Sequence, residues 1–162
     1  MANDPIPPHH NRRAGSNAIA ALMDIHPGLA TVEEQDAHHD LVVDEVAETF
    51  GDVFVNGEEL LEQDRLVEVK SALVVYSKNQ RRGRFTFRES QHPVLVEANA
   101  VYVLVVCEPR PERKVIAATA LEADVVDEHI DGSWIDPGDG GPRYRKFAWT
   151  RFIDVDEVMS RG

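Results

Sequence analysis

The sequence predicts a single α/β domain with a central mixed sheet flanked by helices. Three observations predict it. Strand-like and helix-like segments alternate from about residue 31 onward with no internal repeat and no compositional break. Val101 to Cys107 is an uninterrupted apolar run, as expected of a strand buried on both faces. The 162 residues suit one domain, and 43% hydrophobic content suffices for a core without disulfides or a structural metal.

Composition narrows the function classes. The longest apolar run, Ala100 to Cys107, cannot span a membrane, and the N-terminus lacks the apolar stretch of a secretory signal. The single cysteine, Cys107, excludes an internal disulfide and a Cys-rich zinc site, so the expected compartment is the cytoplasm. Acidic residues number 29 against 17 basic ones, a net charge of −12, and the basic residues are mostly arginine. An acidic, Lys-poor chain fits a salt-accumulating archaeon or its virus, where excess carboxylates hold hydration. In about 1 M salt the Debye length is only about 3 Å. The net charge would then not repel a nucleic acid.

Residues 1–30 read as an N-terminal tail with a short helix over Ser16 to Ile25, ended by Pro27 and Gly28; residues 31–162 read as one domain. Thr31-Val32-Glu33-Glu34 has the spacing of a capping box and predicts a helix over 32–49, stopped by Gly51. Glu45 lies on the border of its apolar face. Asn56-Gly57 is a strong hairpin signal, which predicts strands at 52–55 and 58–62. Arg65 to Tyr76 reads as a long strand. Ser90 caps a predicted helix with Pro93 in its first turn, running to about Ala98. Further strands are expected at 114–120 and 145–151, with helices at 121–130 and 154–159.

The chemistry concentrates in the long strand. Glu68 and Lys70 are two apart, so they project from one face. Such a pair among Leu66, Val67 and Leu73 is costly unless it is paired or has a task. Metal-dependent phosphodiester cleavage supplies one: a carboxylate holds a divalent cation, and an ammonium orients water or stabilises charge on the phosphate. If Gln63 and Asp64 form a tight turn, antiparallel pairing sets Glu59 opposite Glu68, and a one-residue slip selects Glu58. Asp52 is the third choice for the second carboxylate. The simpler alternative is a surface ion pair on an edge strand.

The segment Lys78 to Arg88 reverses the local charge, with five basic residues and no acidic one. Arg81, Arg82, Arg84 and Arg88 could neutralise phosphates, or pair with the carboxylates of residues 31–64. In Arg84-Phe85-Thr86-Phe87-Arg88 the aromatic residues are expected to face the core. Gln91-His92 follows at a helix start, where His92 either packs or touches substrate. Gly138-Asp139-Gly140-Gly141 lacks the strand, helix and lysine of a phosphate loop.

The order helix, strand meander, Glu68-Val69-Lys70, basic segment, helix and buried strand resembles the PD-(D/E)XK nuclease superfamily. The stretch VEVKSA … GRFTFRESQHPVLVEANAVYVLVV, Val67 to Val106, is similar to small haloarchaeal and haloviral members. The resemblance implies a restriction-endonuclease-like αβββαβ core and a DNA endonuclease using Mg²⁺ or Mn²⁺. Glu68 would match the second metal-binding carboxylate, Lys70 the catalytic lysine and Glu45 a helix carboxylate of many members. Glu59 or Glu58 would stand where the family has its first Asp. No Pro-Asp pair precedes Glu-x-Lys at the usual place. DNA, duplex or branched, is the implied partner, a homodimer is compatible with it, and no membrane is. The alternative from another class is a catalytically inactive nucleic-acid-binding or protein-interaction module on the same fold.

Overall fold

A computed structural model describes residues 29–31, 41–43, 53–74, 82–108 and 115–159. Strands β1 (Leu29–Thr31), β2 (Leu41–Val43), β3 (Phe54–Asn56), β4 (Leu66–Leu73), β6 (Val101–Cys107) and β7 (Val115–Glu122) form one six-stranded sheet, in the order β1-β2-β4-β6-β7-β3. β5 (Arg84–Arg88) and β8 (Tyr144–Ala148) form a separate antiparallel pair. The helices are α1 (His92–Glu97), α2 (Ala123–Ile130) and α3 (Val155–Met159). The expected α/β class and mixed sheet are present. β4 and β6 run parallel, joined by a crossover through β5 and α1, whereas β2 and β7 pair antiparallel to them.

β6 sits between β4 and β7, and all seven of its residues are buried. Its side chains divide the core in two. Tyr102, Leu104 and Val106 join Phe85, Phe87, Leu95, Val126, Ile130 and Trp149 on one face. Val101, Val103, Val105 and Cys107 join Leu61, Val67 and Val69 on the other. Each full burial of such an aliphatic side chain stabilises the fold by about 1.5–3 kcal/mol.

Local chemistry explains the short helices. In α2, Ala123, Val126 and Ile130 are buried at helical spacing, and Asp131 ends the helix in the left-handed region at φ 49°. Pro93 opens α1, and Asn99, at φ 56°, turns the chain so that the Ala100 N–H donates to the Leu95 carbonyl at 2.9 Å.

Five expectations are corrected. Leu41–Val43, inside the helix expected over 32–49, is a strand between β1 and β4, and Thr31, the expected start of its capping box, closes a strand. Pairing along both edges outweighs the capping-box signal there. The rest of 32–49 lies outside the described residues. Glu58–Leu60 is a 3-10 turn, not a strand. Asn56-Gly57 does not turn a hairpin: β3 pairs parallel with β7, and Gly57, at φ +83°, lies so close to β7 that a Cβ would fall 2.0 Å from the Ala120 carbonyl oxygen. Ser90 does not cap α1, whose N-cap is Gln91, and the last strand ends at Ala148 in a 3-10 turn, Trp149–Arg151.

Candidate active site

β4 alternates its side chains between the two cores. Val67 and Val69 enter one, while Glu68, Lys70 and Ala72 point to the side of Tyr102, Leu104 and Val106, their register partners on β6. The strand therefore places a carboxylate and an ammonium on the face covered by α1, α2 and the small sheet. Glu68 is 6% exposed. Lys70 Nζ lies 3.3 Å from Glu68 Oε2.

A third side chain joins them. The Gln91 amide Nε2–H donates to Glu68 Oε2 at 2.8 Å, and Gln91 Oε1 accepts from Lys70 Nζ at 3.0 Å. Gln91 thus bridges both charges from the start of α1. The crossover delivers it there, and the Gln91 N–H donating to the Arg88 carbonyl at 3.1 Å fixes it to the end of β5. Sequence reasoning noted Gln91 only as the neighbour of His92. A glutamine at a helix start after Glu-x-Lys was the available signal, but its contact is made across 23 residues.

His92 packs rather than lining an open surface: it is 1% exposed. Nδ1 lies 2.8 Å from the Tyr102 hydroxyl and Nε2 3.0 Å from Asp127 Oδ1. Burial lowers the His92 pKa from its ordinary value; the hydrogen bond and charge of Asp127 and the charge of Asp124 oppose this, and Lys70 adds to it. Burial first, then the charges of Glu68 and Asp127, hold the Tyr102 phenol well above the usual range. The carboxylate can only accept, so Nε2–H donates to Asp127, Nδ1 accepts, and the Tyr102 hydroxyl donates. The network anchors α1 to β6 and α2 directly beside Gln91.

The other expected site residues are placed differently. Glu59 is exposed and Glu58 is buried at 8%, both on the turn after β3. β3 is separated from β4 by β7 and β6, roughly 14 Å at about 4.8 Å per strand. Leu60 and Leu61, next along that turn, pack on the core face opposite Glu68. The hairpin register that set Glu59, or by slippage Glu58, against Glu68 is therefore overturned, because β4 takes β2 and β6 as its neighbours. Glu45, Arg81 and Asp52 lie outside the described residues. Arg82, Arg84 and Arg88 are exposed, while Phe85 and Phe87 are fully buried. Among the described residues none of these three arginines forms an ion pair with a carboxylate.

The donors facing the centre are oxygens, the Glu68 carboxylate and the Gln91 amide carbonyl, which suit a hard divalent cation. Among the described residues no group of three His, Cys, Asp or Glu stands together. Among them, too, no helix is long and apolar enough to cross a membrane.

Residues 7–154 match the family model described as the PD-(D/E)XK nuclease superfamily domain. No curated protein and no solved structure matches the chain.

Proposed function

The chain belongs to the PD-(D/E)XK nuclease superfamily, and from that premise we propose that it is a metal-dependent DNA endonuclease hydrolysing phosphodiester bonds with Mg²⁺ or Mn²⁺. The triangle of buried Glu68 with half-buried Lys70 and Gln91, gathered on one face of the strand, carries this reading. A salt bridge retained only for stability gains little from burial, because desolvation offsets much of the attraction. A charge pair bridged by a third polar side chain suits a centre that must hold its groups in place before substrate arrives.

Superfamily members generally use divalent ions; when bound, such an ion polarises the phosphoryl oxygen and acidifies water. Glu68 is the carboxylate that would hold it. Lys70 orients the attacking water and donates to charge developing on the phosphate. Gln91 keeps Lys70 and Glu68 at a fixed separation. Water adds to phosphorus, an ester P–O bond breaks, and the leaving oxygen takes a proton. Arg82, Arg84 and Arg88 would contact phosphates flanking the cut.

Calorimetric titration with Mn²⁺ tests the centre. Wild type should bind, and Glu68→Ala should not. Equal binding by both would remove the metal site and leave a non-catalytic binding module on the same fold.

A further inference from the structure

The small sheet carries a second cationic feature, which shares only Arg84 with the cleavage reading. Along β8 runs a groove of about 570 Å³ whose lining includes Arg84, Arg145, Lys146 and Arg151, with Tyr144 and Ile135 beside them. No carboxylate lines it. Among the described residues none of the four cations forms an ion pair. This is unexpected in a chain of net charge −12, in which acidic partners outnumber basic ones.

Aromatic faces hold three of these cations instead of anions. The Arg145 and Arg151 guanidinium groups each lie 4.9 Å from the centre of the Phe147 ring, and the Lys146 ammonium lies 5.6 Å from that of Tyr144. A cation over a ring is attracted by the negative face of the ring and keeps its full charge. Arg145 Nε is buried and has no hydrogen-bond acceptor among the described residues. Four positive charges along one groove suit an anion with several acceptor oxygens.

We infer that this groove binds the phosphodiester backbone of the nucleic-acid substrate, outside the cleavage centre and without reading sequence. The nature of the anion rests on the nuclease reading; the charge arrangement does not. The lining offers no Asn, Gln, Asp or Glu, the residue types that pair with adenine and cytosine edges; guanine is the one base its cations could read, and three of them are engaged with aromatic rings. Backbone contacts position a nucleic acid without specifying it. β5 links the groove to the proposed centre: Arg84 lines the groove, and Arg88, about 13 Å along the strand, accepts the Gln91 N–H at its carbonyl. A strand lying along β5 would contact both.

The test is the salt dependence of binding by the full chain to labelled duplexes of several unrelated sequences, over a KCl series with EDTA present. Lys146→Gln/Arg151→Gln changes two exposed side chains. Its log–log slope should be shallower by about 1.8, at about 0.9 per lost phosphate contact, with equal weakening on every sequence. Should the double variant melt early, Lys146→Gln alone, which leaves both arginines on the Phe147 ring, should lower the slope by about 0.9. An unchanged slope in a variant that melts like wild type overturns the inference. So does sequence-dependent weakening, or polyglutamate binding through these residues with DNA affinity intact. A chain that cleaves nothing yet loses slope retains the groove and loses the nuclease reading. A chain that cleaves with Mn²⁺ and keeps its slope loses the groove alone.

Discussion

Gln91 Nε2 donates to Glu68 Oε2 at 2.8 Å, and this bond ties the helix that ends the crossover to the strand that begins it. Because the same amide accepts from Lys70, the charge pair is held from both ends.

Gln91→Ala should therefore leave Glu68 and Lys70 in contact but free to reorient. Hydrogen bonds to charged groups contribute about 1.5–3 kcal/mol, so the unfolding midpoint should fall measurably. Cleavage should fall about 100-fold, as for loss of one preorganised transition-state contact. Wild-type turnover in this variant would show that the bridge serves packing alone.

Lys70→Ala should reduce cleavage at least 100-fold while DNA affinity in EDTA stays near wild type, because the ammonium acts on charge that develops in the transition state. An equal loss of affinity would instead make Lys70 a ground-state phosphate contact. Binding assays run beside single-turnover cleavage separate the two.

His92 gives stability a pH dependence. Burial lowers its folded pKa below the ordinary value of about 6.5. Between the two values the unfolded chain holds more protons, so stability rises with pH and is lost as pH falls through about 6.5 toward the folded value. The slope from one group is at most about 1.4 kcal/mol per pH unit. Thermal unfolding across this window should show a shallower pH dependence in His92→Gln than in wild type. Parallel curves would place the sensitivity elsewhere.

Gly83 sits where a Cβ would fall 2.2 Å from the Leu73 carbonyl oxygen, the same oxygen that accepts the Gly83 N–H at 2.9 Å. Its own carbonyl accepts from the Trp149 N–H, and the Trp149 indole donates to the Val74 carbonyl at 2.8 Å. Gly83→Ala must push these backbones apart. We expect a loss of about 1–3 kcal/mol in denaturant unfolding, and a variant as stable as wild type would contradict the close approach.

Much of this was legible in the sequence where the signal was local. The apolar run 101–107 became the central strand, and the two-residue spacing of Glu68 and Lys70 put both on one face. Phe85 and Phe87 turned inward as their alternation with polar residues predicted. What misled were local signals overridden by distant partners. Gly57 serves an approach to Ala120, 63 residues away in the chain by the same pairing that sets Thr119 on Asn56, rather than a hairpin. Leu41–Val43 became a strand because β4 lay alongside it. Gln91 gained its role only when α1 docked on β4, which no spacing within the helix announces.

The most direct test of the central claim is cleavage of plasmid and branched DNA by the purified full chain, with Mn²⁺ or with EDTA, in high-salt buffer. Wild type should cut at least one substrate with Mn²⁺ and neither with EDTA, and Glu68→Ala and Lys70→Ala should cut neither. Cutting by Lys70→Ala at the wild-type rate, or cutting by wild type in EDTA, would contradict the account.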